Sequence, residues 1–115
     1  MKKLTVFISM AVLFISCEKE DILINTPECI KDQIEDIAKG DVWNPPAKIY
    51  SYQYEGQTVY YFPSRCCDIA SSLYDAECNL LCSPDGGLSG NGDGQCSDFH
   101  DLKTDEKLIW EDKRE

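Results

Sequence analysis

The side chains best suited to chemistry lie in one run, Ser83 to Asp98, where acidic, amide and hydroxyl groups alternate with glycines. Ser89, Asn91 and Asp93 carry oxygens at alternate positions, and Gly94 follows at the sixth. A calcium loop sets its first ligands and turns the chain in this order. Calcium takes roughly six to eight oxygens, so this half-loop needs further carboxylates. Asp85, Asp98 and Asp101 stand close by in sequence. Asp85, Asn91, Asp93 and Asp98 are therefore the candidate metal ligands. The competing reading needs no metal, because Asn-Gly and Asp-Gly are ordinary turn dipeptides.

A full EF-hand is not expected. Ser89 replaces the acid of position 1, and His100 stands where the closing Glu belongs. Zinc is disfavoured too. Cys78 and Cys82 have a zinc-like spacing with His100 beyond them, but an exported chain favours disulfides over thiolates. No C-x-x-C is present, so a thioredoxin-type redox motif is absent. His100 is the only histidine, and no G-x-S-x-G elbow accompanies it. Paired acids such as Asp68 and Asp75 arise by chance in a chain with 21 acidic residues. No catalytic residues are assigned, and an enzyme is not expected.

A second cluster favours recognition. Trp43, Tyr50, Tyr52, Tyr54, Tyr60 and Tyr61 fall within one short stretch. Aromatic surfaces suit protein or glycan partners. Tyr50, Tyr52, Tyr54 and Tyr60 are the candidate binding residues, against the plain alternative of a small aromatic core. Trp43 reads as a core or groove anchor.

The elements that must position these groups begin after an export signal. Lys2 and Lys3 form a basic n-region, and Leu4 to Ile15 an apolar h-region too short to span a bilayer comfortably. Phe14-Ile15-Ser16-Cys17 resembles the lipobox of bacterial lipoproteins, which implies cleavage before Cys17 and acylation of its thiol and new amine. Several acyl chains give stable anchoring where one gives only marginal binding. Glu18, Lys19, Glu20 and Asp21 resemble the surface-export signal of Bacteroidota lipoproteins. An outer-membrane or cell-surface location is expected, with a periplasm-facing anchor as the alternative. The organisation is then residues 1–16 as signal peptide, 17–26 as acidic tether and 27–115 as a single domain.

Without Lys2 and Lys3 the chain keeps nine of its 11 basic residues against 21 acidic ones, a net charge of −12. That balance repels nucleic acid. Six cysteines remain once Cys17 is set aside: Cys29, Cys66, Cys67, Cys78, Cys82 and Cys96. An even number in a small exported domain reads as a disulfide framework. A Cys66–Cys67 bond would strain the intervening peptide, and Cys78–Cys82 cannot close across an extended strand. About ten of the 15 pairings survive, with no way to choose among them.

Thr26-Pro27-Glu28 predicts a helix start, with Thr26 as N-cap. Ile30, Ile34, Ile37 and Ala38 then line one apolar face up to Lys39-Gly40. Ile49 to Tyr54 and Gln57 to Phe62 predict a hairpin around Glu55-Gly56. That turn sets Tyr50 opposite Tyr61, Tyr52 opposite Val59 and Ser51 opposite Tyr60. Ser72 to Asp75 and Leu80 to Cys82 read as short strands, 83–98 as loop, 99–103 as a helical turn and Lys107 to Glu111 as a last strand. Asp112 to Glu115 reads as a charged tail. The fold class is α+β: one N-terminal helix across a small antiparallel meander, disulfide-stapled, with the Gly/Asp-rich loop at one end.

The strings VYYFPSRCCD, SSLYDAECN and LCSPDGGLSGNGDGQCSDF resemble an uncharacterised domain of small Bacteroidota lipoproteins, over roughly Glu28 to Trp110. The resemblance implies location and class but no activity. The position of Cys78 often reads as glycine in that family, which leaves open whether this thiol is paired. The chemistry so far points to a lipid-anchored, non-catalytic binding or structural module. A calcium-stabilised extracellular module and a small protease inhibitor are the alternatives.

Overall fold

The computed structural model describes residues 22–114 except Cys67. The expected signal peptide and Cys17 lie outside the described residues. The elements follow the order α1 (Glu28–Lys39), β1 (Lys48–Tyr54), β2 (Gln57–Phe62), β3 (Ser72–Tyr74), β4 (Leu80–Cys82), α2 (Phe99–Leu102) and β5 (Thr104–Glu111). The five strands form one antiparallel sheet in the order β4-β3-β2-β1-β5. The class is α+β. The first four strands form the meander. The last one crosses over to close the opposite edge beside β1.

The hairpin turn decides the register. Glu55 and Gly56 both have positive φ, 52° and 79°, the conformation of a type I′ two-residue loop. Tyr50 then pairs with Tyr61, Ser51 with Tyr60 and Tyr52 with Val59, as the turn predicts. Strand alternation sends these residues to opposite faces, and each face builds its own core.

On one face, Ile30 and Ile34 of α1 pack with Ile49, Tyr60, Phe62 and Trp110. The other face gathers Tyr52, Tyr54, Val59, Leu73 and Phe99 with Cys82 and Cys96. Ile109 and Trp110 are both buried although they are neighbours. A bulge makes this possible: Ile49 faces Trp110 while Tyr50 faces Leu108, so Ile109 is an extra residue opposite no partner. A second irregularity lies between Ser51 and Gln53, where Asp105 takes φ 58°.

Several local expectations are corrected. Thr26 does not cap α1. Its hydroxyl donates to the Leu23 carbonyl at 2.6 Å, and Pro27 stands at the N-cap without a side-chain cap bond. Part of the expected tether is folded onto the sheet. Ile22 packs on the first core and the Leu23 amide donates to the Ile109 carbonyl at 2.9 Å, so the domain begins by residue 22. Gly40 is extended rather than left-handed, and so makes no αL cap. The Arg114 guanidinium serves that helix end instead, donating to the Gly40 carbonyl at 2.9 Å and the Ile37 carbonyl at 3.4 Å. Asp112 orients it with two carboxylate bonds of 2.9 and 2.8 Å. Asp112 and Arg114 of the expected charged tail therefore close the C-terminal end of α1.

Two disulfides staple the sheet to its covers. Cys29–Cys78 ties α1 to the β3–β4 turn, with Cα atoms 6.2 Å apart. Cys82–Cys96 ties β4 to the end of the glycine-rich loop, at 6.1 Å. Cys78 is thus paired. Its φ of 66° explains why a glycine would suit the position. The turn around it is held by Asp75, whose carboxylate accepts from the Glu77 and Asn79 amides at 2.9 Å each. Cys66 is also disulfide-bonded.

Candidate functional site

Among the described residues, the expected ligands of the glycine-rich loop are not brought together as a group of carboxylates. Each expected ligand is turned to another task. Asp93 accepts from the Ser83 amide at 3.1 Å and the Gln95 amide at 3.0 Å. Asp98 accepts from the Tyr54 hydroxyl at 2.6 Å. Asp85 accepts at one oxygen from the Tyr61 hydroxyl, 2.5 Å, and from His100 Nε2, 2.6 Å. Asn91 lies in an exposed turn where its amide donates to the Ser89 hydroxyl. Among the described residues, no group of three or more His, Cys, Asp or Glu side chains is placed to hold a metal. Their hydrogen bonds follow the pattern of a turn series, in which carboxylates accept nearby amides.

Glycine is required where that loop crosses itself. A side chain at Gly92, φ 66°, would overlap the Ser83 carbonyl oxygen, and one at Gly86, φ 83°, would press on the Ile69 carbonyl. The Asp93 amide meanwhile donates to the Ser83 carbonyl at 3.0 Å. From Ser83 to Asp98 the chain runs through turns and single bridges without an extended run. A protease-inhibiting loop would need such a run.

Asp85, Tyr61 and His100 form a clasp. Lys103 Nζ lies 3.1 Å from His100 Nδ1, so an ammonium donor there makes Nδ1 the acceptor and leaves the Nε2 proton for Asp85. Burial raises the Asp85 pKa, but donation from Tyr61 and His100 outweighs it and holds the carboxyl below the usual range. The clasp fixes the loop (through Asp85) and α2 (through His100) to β2. The sole histidine thus has a structural task.

Of the two readings of the tyrosine cluster, the burial of Tyr52, Tyr54 and Tyr60 fits the aromatic core. Tyr52, Tyr54 and Tyr60 are buried, and only Tyr50 of the four is half-exposed. Phe99 explains this. It is wholly buried, with its ring centroid 5.4 Å from Tyr52, 5.2 Å from Tyr54 and 5.5 Å from Tyr61. The four-residue helix α2 presses Phe99 into the second sheet face, which a hairpin considered alone would leave bare.

Aromatic surface is instead left at the end of the sheet, where β1 begins and β2 departs. Trp43, Pro45, Pro46, Lys48, Tyr50 and Pro63 line a half-open cleft of about 240 Å³. Trp43 is half-buried, with its ring against the first core. The Arg65 guanidinium lies 5.6 Å from that ring's centroid. Lys48 is about half exposed and reaches Glu111 at 4.0 Å, both in solvent, where such a pair contributes little. Stiff prolines frame the cleft, and they cost little conformational entropy to hold in place. The sequence marked Trp43 as an anchor. It did not show that Lys48, Pro63 and Arg65 would meet it, because the turns that return the chain there have no periodic signature.

No helix among the described residues is long and apolar enough to cross a membrane. No curated protein and no solved structure matches the chain. Its paired cysteines, hairpin and stapled loop all fall within or beside a stretch that a family model does match. Residues 35–112, from the second half of α1 through the buried Asp112, match the domain of unknown function DUF6970, and the chain belongs to that family.

Proposed function

We propose that this chain is a lipid-anchored, non-catalytic binding module of the bacterial cell envelope, held through Cys17 and engaging its ligand at the Trp43 cleft. One observation carries the binding role. The fold buries Tyr52, Tyr54 and Tyr60 but leaves Trp43 and Tyr50 half-exposed around one cleft, beside Lys48 and Arg65. Small sites with aromatic walls and a few polar groups suit recognition. The absence of catalysis is supported by the clasp, since the one histidine is committed to Asp85 and Lys103. The anchor is supported by the h-region and the Ser16-Cys17 junction. An outer-membrane or surface position follows from the acidic residues after Cys17.

The partner class is glycan rather than protein. At about 240 Å³ the cleft suits one sugar ring, with the neighbouring rings of an oligosaccharide continuing into solvent. Two experiments test these roles. Cys17→Ser should release the protein from the membrane fraction of its host. On a glycan array, Trp43→Ala should abolish the signal of the wild-type protein, while Leu88→Ala at the exposed loop tip should keep it. Retention on the membrane without Cys17, or an array signal indifferent to Trp43, would refute the corresponding role.

A further inference from the structure

We infer that the ring held in the Trp43 cleft is an acidic sugar, a uronate bearing its carboxylate toward Lys48 and Arg65. This rests on the cleft being the ligand site. The chain as a whole is strongly acidic, with 21 acidic residues against 11 basic ones. Two of those few cations nonetheless stand at this one opening. Lys48 lines the cleft, and Arg65 lies exposed over the Trp43 ring.

Neither cation is consumed by the fold. The Lys48–Glu111 contact is long, at 4.0 Å, and solvent-exposed on both sides. An incoming carboxylate can displace it at little cost. Arg65 keeps its donors available while stacked, because a guanidinium can lie against a ring and still present a planar fork to a carboxylate. A pyranose offers what the remaining walls need. Its C–H face packs on Trp43 or Tyr50, and its hydroxyls meet the polar edge at Ser64. A neutral sugar would use the aromatic walls alone and leave both cations without a role. A phosphate would use the cations alone and leave the walls dry.

Long-range repulsion from the acidic surface opposes any anion, but it is screened beyond about 8 Å at physiological ionic strength. The short contacts at the cleft lie inside that distance. Preference for the acidic sugar should therefore survive moderate salt and fade at high salt.

The test is calorimetric titration of the purified protein with trigalacturonic acid and with neutral galactotriose. The acid should bind about tenfold more tightly or better. Lys48→Gln and Arg65→Gln should each erode that ratio by weakening the acid more than the neutral sugar. Equal affinities, both lost in Trp43→Ala, would overturn the charge assignment and leave the cleft as a glycan site. Tighter binding of the neutral sugar would overturn it likewise. If neither sugar binds and the array of wild-type protein is also blank, the inference and the site it rests on both fall.

Discussion

The Tyr61 hydroxyl donates to Asp85 Oδ2 at 2.5 Å, and this bond pins the head of the glycine-rich loop to the second strand of the hairpin. His100 donates to the same oxygen at 2.6 Å, so one carboxylate joins strand, loop and helix. Tyr61→Phe removes one of two donors and should cost about 1–2 kcal/mol. Asp85→Ala removes the shared acceptor and should cost more. Combining Asp85→Ala with Tyr61→Phe should cost less than the sum, because the second change has no bond left to break. Urea unfolding of the four proteins measures the coupling.

Phe99 is the keystone of the second core. Phe99→Ala leaves a cavity among three tyrosine rings and should destabilise by about 3–5 kcal/mol. Near-ultraviolet dichroism should also weaken, since Tyr52, Tyr54 and Tyr61 lose the ring that orders them.

The buried phenols predict a late alkaline transition. Hydrogen bonding to Asp98, then burial, pushes the Tyr54 pKa up to about 12. Burial first, then Glu106 or Asp85, raises Tyr52 and Tyr61 further, and burial raises Tyr60. A folded pKa above the unfolded value of about 10 favours the folded state fully below pH 10. That contribution is lost as pH climbs through the folded values. Spectrophotometric titration should show some tyrosines ionising only with unfolding, and Tyr54→Phe should move the transition.

At acid pH the sign reverses for Asp112. Hydrogen bonds from the Arg114 side chain outweigh burial and hold its carboxyl below the usual range. Its contribution is complete above an unfolded pKa of about 4 and disappears as pH falls through the lower folded value. Asp112→Asn should therefore be less stable than wild type at pH 7, with the gap narrowing below pH 4. Thermal midpoints across that range check it.

The hairpin was legible because its turn is chemical: Glu55-Gly56 admits positive φ, and the register follows from it. The apolar face of α1 was legible from its period, and Ile30 and Ile34 are buried as the period requires. The edge position of β5 was not, since no local pattern says which strand it will join. The tyrosines could be read as core or as surface, because a hairpin has two faces and the sequence names only one obvious cover. Phe99, some 37 residues beyond β2, supplies the other. The loop's carboxylates stayed ambiguous in the sequence because ligand spacing and turn spacing coincide, and their hydrogen bonds to nearby amides and hydroxyls follow the turn pattern.

The two tryptophans allow a direct test of the cleft. Trp43 is half-exposed there, whereas Trp110 is 2% exposed in the core under α1. Their indole N–H resonances in a nitrogen-15 NMR spectrum should respond differently to added uronate oligosaccharide. Movement of the Trp43 signal with saturation, and a stationary Trp110 signal, is the predicted result. A Trp43 signal that stays fixed across acidic and neutral saccharides would contradict a glycan-binding cleft.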